Sequence, residues 1–508
     1  MKTKLNLSLI YFSRIYMAII SIVLVPFLLR ELGHEAYGLI GFFVVLQACL
    51  QVLDAGVGGV LTRQCVLTKH DAKSHHGFVQ LFKKIILVFF IISVFISFLG
   101  YNFSDSIVNL WLNTSLDVDI ASSCVALMCL IFSLRYLQGP FRSIILANEK
   151  HILLSTIDII FTTITNPIAL IFVYYSQEKI LSYFYFQAVS SSLRLIVLFL
   201  CSSFLIKQSK RRLLSEPEHS CNPVKSDFKQ IVRFGMQLSS LSILWVLVTQ
   251  SDKLTLTSIM TLNDYALYSL AISAVSVVSI FGSPINQYLQ PRLTSLFSAS
   301  KFDEYSKIFE NTYYYLAIVF IPSCFLVIYF GVDFISAWLG DSETANVVIR
   351  YVPWLFIGSV FTVFSNFCFL LLYSHGNLKW HTIFYSVFSI VIIILNVLVA
   401  KHYGADGSVR FYFSSSLFLL LFWSYLNFYK YFDNFIYVSV VKILPSMLFT
   451  YIIFYLADAF RFDVLLHDIL FSSFIFIFNV ATLYCWCFKL LPNIVNEKFL
   501  IKYKCDVK

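Results

Sequence analysis

Residues 7–29 read LSLIYFSRIYMAIISIVLVPFLL. A membrane-spanning helix needs about 20 mostly apolar residues, and this stretch is long enough to be one. Its charged residue, Arg14, lies ten positions from Lys4, which is roughly 15 Å along a helix axis. A charge at that depth is costly, so it usually faces a cavity, a partner or a transport pathway. The stretch therefore predicts a membrane helix with one side turned to a polar interior.

The composition of the whole chain agrees with a membrane protein. It is 59% hydrophobic and 13% charged, whereas soluble domains carry about 25% charged residues. This excludes an ordinary soluble enzyme. The net charge of +9 comes from basic residues in short loops between apolar segments, which is the distribution that membrane orientation produces. We therefore predict membrane lipids as the surroundings and no nucleic-acid partner.

Apolar segments of spanning length recur along the chain. We predict an all-α integral membrane protein with about 14 transmembrane helices. They lie near residues 7–29, 37–62, 85–102, 120–141, 153–174, 181–206, 232–251, 264–290, 309–330, 347–372, 382–400, 409–428, 443–459 and 469–488.

The loops predict the orientation. Basic residues cluster in every second connection and in the tail, whereas the intervening loops are short and acidic. Positive-inside bias then places both termini in the cytoplasm, and an even number of spans agrees with this. We predict a multi-pass membrane protein.

A weak internal repeat suggests two lobes. Similar residues open one helix in each half of the chain, at an offset of about 230 residues: Leu32, Ala36 and Tyr37, then Leu262, Ala266 and Tyr268. Six helices fit in that offset, so the two copies would have the same orientation. We predict four regions: an N-terminal six-helix lobe at 1–206, a basic cytoplasmic linker at 207–231, a C-terminal six-helix lobe at 232–428, and two extra helices with a cytoplasmic tail at 429–508.

Opposite charges at similar depth suggest interior ion pairs. Asp54 lies nine positions from Arg63, roughly 13 Å into its span, and is predicted to pair with Arg14. Arg135 and Asp158 repeat this arrangement on the fourth and fifth spans. Such pairs either hold helices together or take part in proton coupling, and both interpretations stay open.

Arg194 is predicted to lie near the membrane midplane. It is thirteen positions from Lys207, roughly 20 Å along the axis, with no acidic residue at a clearly equal depth on a neighbouring span. Its planar guanidinium suits bidentate binding of phosphate; snorkelling or an unseen hydrogen-bond partner is the alternative. In the second lobe, Asp252 and Lys253 lie near the outer edge.

Several chemistries are missing from the sequence. It contains no GxxxxGK[ST] phosphate loop and no HExxH or nucleophile-elbow pattern. The cysteines lack metal-ligand spacing, and the outer loops are too short for a folded catalytic domain. We predict neither an enzyme nor a metal site.

One segment resembles a known family. Residues 26–39, PFLLRELGHEAYGL, followed by LDAGV at 53–57 and closed by Arg63, resemble the opening of bacterial polysaccharide flippases. In particular they resemble the O-antigen flippases of the multidrug/oligosaccharidyl-lipid/polysaccharide exporter superfamily. Weaker support comes from QSD at 250–252 and ALYS at 266–269.

The resemblance implies two six-helix lobes around a central cavity, plus two C-terminal helices. It also implies that a polyprenyl-pyrophosphate-linked oligosaccharide crosses from the cytoplasmic to the periplasmic leaflet by alternating access. The polysaccharide polymerase and the chain-length regulator are the further partners to expect.

Family members have a cationic lumen. We predict Arg14, Arg135 and Arg194 as substrate-binding residues, and Asp54, Asp158 and Asp252 as charge-pairing or coupling residues. No cofactor is expected, and a proton or a sodium ion is the candidate coupling ion. The second lobe departs from the family pattern because it is poor in buried cations.

Two other functions compete. A multidrug exporter of the same superfamily would bind cationic drugs, so its cavity should be acidic. A membrane polysaccharide polymerase or glycosyltransferase would usually need a longer outer loop that carries catalytic groups.

Overall fold

The structure is a computed structural model. It describes residues 2–48, 58, 61–62, 64–65, 72–215, 228–376, 378–432, 435–462 and 464–490. The first half of the described chain contains eight helices: α1 (Lys2–Val23), α2 (Val25–Leu32), α3 (His34–Ala48), α4 (Ala72–Trp111), α5 (Val118–Ala147), α6 (His151–Thr163), α7 (Ala169–Tyr174) and α8 (Lys179–Ser215). Nine more follow in the second half: α9 (Phe228–Ile259), α10 (Leu262–Ser298), α11 (Phe302–Leu339), α12 (Ser342–Val348), α13 (Val352–Ser374), α14 (Lys379–Phe418), α15 (Tyr425–Tyr431), α16 (Phe435–Asp458) and α17 (Leu465–Cys485).

The all-α membrane architecture is confirmed. Among the described residues, 11 helical segments are long and apolar enough to cross a membrane. One of them, Lys379–Tyr431, is 53 residues long and contains two of the predicted spans. The predicted span at 37–62 lies partly outside the described residues, whereas the span at 232–251 lies within the helix α9. The number 14 is therefore an approximate count.

A kink separates two of the predicted spans. The sequence suggests a connection between the spans at 382–400 and 409–428, and the segment α14 consists of two helices that meet at Gly404. Gly404 has φ 59° and ψ −147° there, which is not a helical conformation. Glycine adopts positive φ without the steric cost that a Cβ brings, so the chain bends sharply at this residue.

The chain divides into two compact units. Unit 1 consists of Met1–Ala266 and Phe384–Lys401, and unit 2 consists of Leu267–Ile383 and His402–Lys508. The boundaries of the four predicted regions, at 206, 231 and 428, stay a prediction.

Unit 1 is built on close packing between α4 and α5. The ring of Phe89 stacks on Tyr136 at 4.4 Å, and the hydroxyl of Ser93 donates to the carbonyl of Ser133 at 3.1 Å. Small residues allow helices in a membrane to approach closely, and hydroxyl groups link them. These two long helices form a rigid wall on which α8 also packs.

One end of unit 1 brings α3 and α10 together. A Cβ built on Gly38 would lie 2.1 Å from the carbonyl oxygen of Leu262, so the two backbones are in contact. The Leu262 amide donates to the carbonyl of Asn113 at 2.9 Å, and the Trp111 indole donates to Thr257 at 3.1 Å. The starts of α3 and α10, which have similar residues in the sequence, therefore lie side by side.

We expect Gly38→Ala to destabilise the protein by about 1–3 kcal/mol, because an added methyl group must push the α10 backbone away. Thermal unfolding in detergent measures this. The matched control is Gly77→Ala, since Gly77 has nothing within 4 Å of a Cβ and alanine is the better helix former by about 0.5–1 kcal/mol. Equal melting temperatures for the two variants would contradict the close approach.

The core of unit 2 is aromatic. Phe309 on α11 contacts Phe367, Phe432 and Phe435 at centroid distances of 5.3, 4.9 and 5.7 Å, and all four side chains are buried. Aromatic pairs at such distances add to the stabilisation from area burial. The last two helices, α16 and α17, pack on α11 through Phe330 and the neighbouring apolar side chains.

Candidate functional site

Two helices of unit 1 each carry a polar stripe. On α5, Arg135 and Arg142 are seven residues apart; on α8, Gln187, Ser191 and Arg194 are four and three residues apart. Residues at these spacings share one face of a helix. Because α5 and α8 pack together, the two stripes lie against each other inside the unit.

Asp158 on α6 binds two arginines at once. Arg142 donates Nη1 to Oδ1 at 3.1 Å and Nη2 to Oδ2 at 2.9 Å. Arg194 donates Nη2 to the same Oδ1 at 2.5 Å. Asp158 is 6% exposed, so the carboxylate is a buried junction between three helices. Charge-assisted and bidentate contacts of this kind are the strong class of hydrogen bonds.

This geometry corrects two expectations. Asp158 pairs with Arg142 and Arg194, and not with Arg135 as its depth suggested. Arg194 does have an acidic partner, because Asp158 lies close enough for its long side chain to reach. Depth along one helix axis ignores the several ångströms that an arginine side chain spans, which is why the estimate missed this pair.

Arg135 lies in a neutral environment. Its guanidinium donates to the side-chain oxygens of Gln47 and Gln187, the latter at 2.9 Å, and to the hydroxyl of Ser191 at 3.3 Å. It also lies over the ring of Phe43, 5.6 Å from the centroid. These contacts fix the position of the side chain without cancelling its charge.

The cluster has an excess of positive charge. Arg142 and Arg194 share one carboxylate, Asp158, and the charge of Arg135 has no acidic partner among the described residues. The Nε atom of Arg194 is also buried and has no hydrogen-bond partner among the described residues. A buried donor without a partner costs free energy, and an anion that supplied an acceptor would remove this cost. The arrangement is therefore suited to binding an anionic group.

The remaining predicted site residues lie elsewhere or outside the described residues. Arg14 on α1 is exposed, and the structure does not bring it into the Asp158 cluster. Asp54, its predicted partner, lies outside the described residues. Asp252 on α9 is buried, and Lys253 donates to both of its oxygens at 3.1 and 3.3 Å. The roles of Arg14, Asp54 and Asp252 therefore stay predictions.

A second polar contact adjoins Asp252. The amide of Asn396 on α14 donates to the hydroxyl of Ser251 at 2.9 Å. Its Oδ1 atom is buried and has no hydrogen-bond partner in the part of the chain that the structure describes. Asn396 thus joins α9 to the segment of α14 that belongs to unit 1.

Sequence reasoning missed several members of the site. Arg142, Gln47, Gln187 and Ser191 are not among the predicted site residues. The signal for Arg142 was present, because it lies seven residues after Arg135 on one helix face. The two glutamines give no such signal, since an amide in a membrane helix is as often a structural link as a ligand contact.

Glu35 holds the loop between α4 and α5. It accepts hydrogen bonds from the hydroxyls of Thr114 and Ser115 at 2.8 and 2.6 Å, and from the Ser115 amide. Partial burial raises the pKa of Glu35, but the hydrogen bonds from the Ser115 side chain, the Ser115 amide and Thr114 outweigh this, so its pKa lies below the ordinary value of 4.5. A lowered carboxylate pKa means that the ionised form stabilises the fold.

We expect this contact to depend on pH. The contribution of Glu35 is fully present above 4.5 and is lost as the pH falls through the lowered pKa. Hydrogen exchange of the Ser115 amide, corrected for its intrinsic rate, should show protection at neutral pH that Glu35→Gln weakens and acid removes. Glu178→Gln is the control, because Glu178 is exposed. Unchanged protection in Glu35→Gln at neutral pH would contradict the assignment.

The fold and the site define a class. A chain of packed spanning helices that places partly buried arginines next to one buried aspartate is a polytopic membrane protein with a charged interior. The chain belongs to the family described as "Polysaccharide biosynthesis protein", whose model matches residues 4–297. A relative described as "Putative O-antigen transporter" from Shigella flexneri is 21% identical over 431 residues, which cover 82% of this chain and 97% of that protein.

Solved structures support the fold. The chain is similar to "Lipid II flippase MurJ, inward closed conformation", with a TM-score of 0.64 and 16% identity over 94% of this chain and 98% of the other. It is also similar to an inward-facing multidrug resistance MATE family transporter of the MOP superfamily, with a TM-score of 0.57 and 13% identity over 82% and 93% of the two chains. The family resemblance of the opening segment is thereby confirmed. The relatives are transporters and flippases, which confirms that the chain is a transporter and not an enzyme.

Proposed function

We propose that this protein translocates a polyprenyl-pyrophosphate-linked oligosaccharide from the cytoplasmic to the periplasmic leaflet of the bacterial inner membrane by alternating access. The observation that carries the proposal is the cluster of partly buried arginines next to the buried carboxylate of Asp158. A pyrophosphate carries several negative charges and cannot cross the hydrocarbon core unaided. A membrane transporter that presents a surplus of guanidinium groups on packed helices provides a place for it.

The residues of the cluster have different roles. Asp158 holds Arg142 and Arg194 in position and neutralises part of their charge. Arg194 contributes an unpartnered Nε donor, and Arg135 contributes a charge that only neutral side chains and an aromatic ring contact. Arginine binds phosphate groups through a planar fork, so Arg194 and Arg135 would receive the pyrophosphate. The polyprenyl tail would stay in the lipid.

The competing function is export of cationic drugs, because a solved structure with a similar fold is a multidrug transporter. The electrostatics favour the flippase. A cationic drug would meet three arginines and one aspartate in the interior of unit 1, and like charges repel strongly where the dielectric is low. Shared fold does not imply shared cargo.

Coupling to an ion is part of the proposal. A proton or a sodium ion is the candidate, and Asp252 is the buried carboxylate at which it would compete with the ammonium group of Lys253. Imposed pH and sodium gradients across liposomes distinguish the two ions. We expect cytoplasmic termini because of the charge distribution of the loops. We expect association with the polysaccharide polymerase and the chain-length regulator because of the family resemblance.

Reconstitution tests the proposed function. Proteoliposomes that contain the purified full chain and a fluorescent lipid-linked oligosaccharide in the inner leaflet should expose the sugar to an added glycosidase faster than empty liposomes. A neutral substitution at Arg194 should slow this exposure. Equal rates with and without the protein, together with uptake of a cationic dye, would instead support drug export.

A further inference from the structure

Unit 2 has an open cavity with mixed polar and apolar lining that the arginine cluster does not use. Its volume is about 530 Å³, within the range of about 300–1,000 Å³ that small-molecule sites occupy. The lining comes from the last turns of α10 and from the end of α13. The lining residues are Gln290, Pro291, Thr294, Ser295, Ser298 and Tyr373.

Helix α10 has a buried packing face next to the face that lines the cavity. Leu289, Leu293 and Leu296 are 0%, 0% and 3% exposed, so this stripe anchors the helix in unit 2. Gln290 and Thr294 lie one position further along and share the adjacent face. The cavity wall is therefore held in place by a buried stripe next to it.

Aromatic contacts fix the other wall. The ring of Phe297 on α10 lies 4.2 Å from the ring of His375, which directly follows α13. The Tyr305 hydroxyl also shares a hydrogen bond of 2.8 Å with Ser374. These contacts hold the end of α13, to which Tyr373 belongs, against α10 and α11.

The lining chemistry is neutral and suits hydrogen bonding. The hydroxyls of Thr294 and Ser298 donate to helix carbonyls at 2.7 and 2.9 Å, which leaves their oxygens as acceptors. Within the described part of the chain, the Gln290 amide makes no hydrogen bond to another residue, so it can both donate and accept. Pro291 and Tyr373 add flat apolar surfaces. A charged phosphate finds no cationic side chain in this lining.

We propose that this cavity binds a neutral sugar residue of the transported oligosaccharide. A pyranose ring presents hydroxyls that both donate and accept, together with apolar C–H faces that pack on rings, and the lining matches both features. The inference rests on the proposed function and deepens it, because it separates recognition of the sugar in unit 2 from recognition of the pyrophosphate in unit 1.

Sugar binding by the purified full chain tests the inference. The probe is the repeat-unit oligosaccharide of the native host, released from its carrier by mild acid so that it has neither pyrophosphate nor polyprenyl. Its binding is measured by saturation-transfer NMR and titration. Gln290→Ala should weaken binding about fivefold, as expected for the loss of one or two hydrogen bonds, and Ser295→Trp should weaken it more than about tenfold by filling the cavity.

Matched controls separate local from general effects. Thr312→Val on α11 removes a hydroxyl that donates to its own helix at 2.8 Å, and Ser283→Trp adds the same bulk at an exposed position of α10. Both should bind the sugar normally. Arg194→Gln should also bind the free sugar normally, because this probe has no pyrophosphate.

The outcomes of the two tests are distinct. Three results would overturn the cavity inference: no sugar binding by the wild type, unchanged binding by Gln290→Ala and Ser295→Trp, or loss of binding in Arg194→Gln. If the wild type still flips the lipid-linked oligosaccharide in liposomes, the proposed function stands in each case. Absence of flipping by the wild type defeats the proposed function itself.

Discussion

Arg194→Gln is expected to lower the transport rate at least about thirtyfold while the protein stays folded. Truncating one partner of a buried, charged contact costs about 2–5 kcal/mol of binding, and the variant loses the donor that we assign to pyrophosphate. Folding should survive because Asp158 keeps its bidentate contact with Arg142 at 2.9 and 3.1 Å. The measurement is exposure of a lipid-linked oligosaccharide in proteoliposomes.

Two variants sharpen this prediction. Arg194→Lys keeps the charge but loses the planar fork, so it should recover only part of the rate. Arg350→Gln removes an exposed arginine of unit 2 and should transport normally. Full transport by Arg194→Gln would remove Arg194 from the binding site.

Asp158→Asn is expected to have the largest effect on stability, about 3–5 kcal/mol. The asparagine leaves the partly buried Arg142 and Arg194 close together without a countercharge. Removing the buried partner of an ion pair has this magnitude. Thermal unfolding in detergent measures the loss. Asp105→Asn, at an exposed position of α4, is the control and should melt like the wild type.

A second substitution tests the cause. If repulsion between the arginines is responsible, adding Arg142→Gln to Asp158→Asn should recover part of the lost stability, since residues in one network are not additive. Ordinary surface substitutions change the free energy of unfolding by no more than about 0.5 kcal/mol. A change of that size in the single variant Asp158→Asn would show that the junction does not hold the three helices.

The sequence predicted the helices better than the contacts. Spans follow from length and hydropathy, because a bilayer requires about 20 apolar residues per helix. The polar residues around Gly404 predict a break between two spans, but not the short kink by which the structure makes it. The pairing of Asp158 could not be predicted in this way. Three helices meet at that carboxylate, and which arginine reaches it depends on their rotation and on side-chain length.

The cavity of unit 2 shows the same limit. Gln290, Thr294 and Ser298 fall on one helix face in the sequence, yet nothing in the sequence places Tyr373 beside them. That neighbour follows from the packing of Phe297 on His375, and such packing is fixed only when α10 and α13 fold together.

Deletion of the gene in its native host, with the location of the accumulated glycan as the readout, tests the central claim most directly. The account predicts that single lipid-linked repeat units accumulate in the cytoplasmic leaflet, that surface polysaccharide is lost, and that the wild-type gene but not Arg194→Gln restores it. Single units that reach the periplasmic leaflet without polymerising, or unchanged surface polysaccharide, would contradict it.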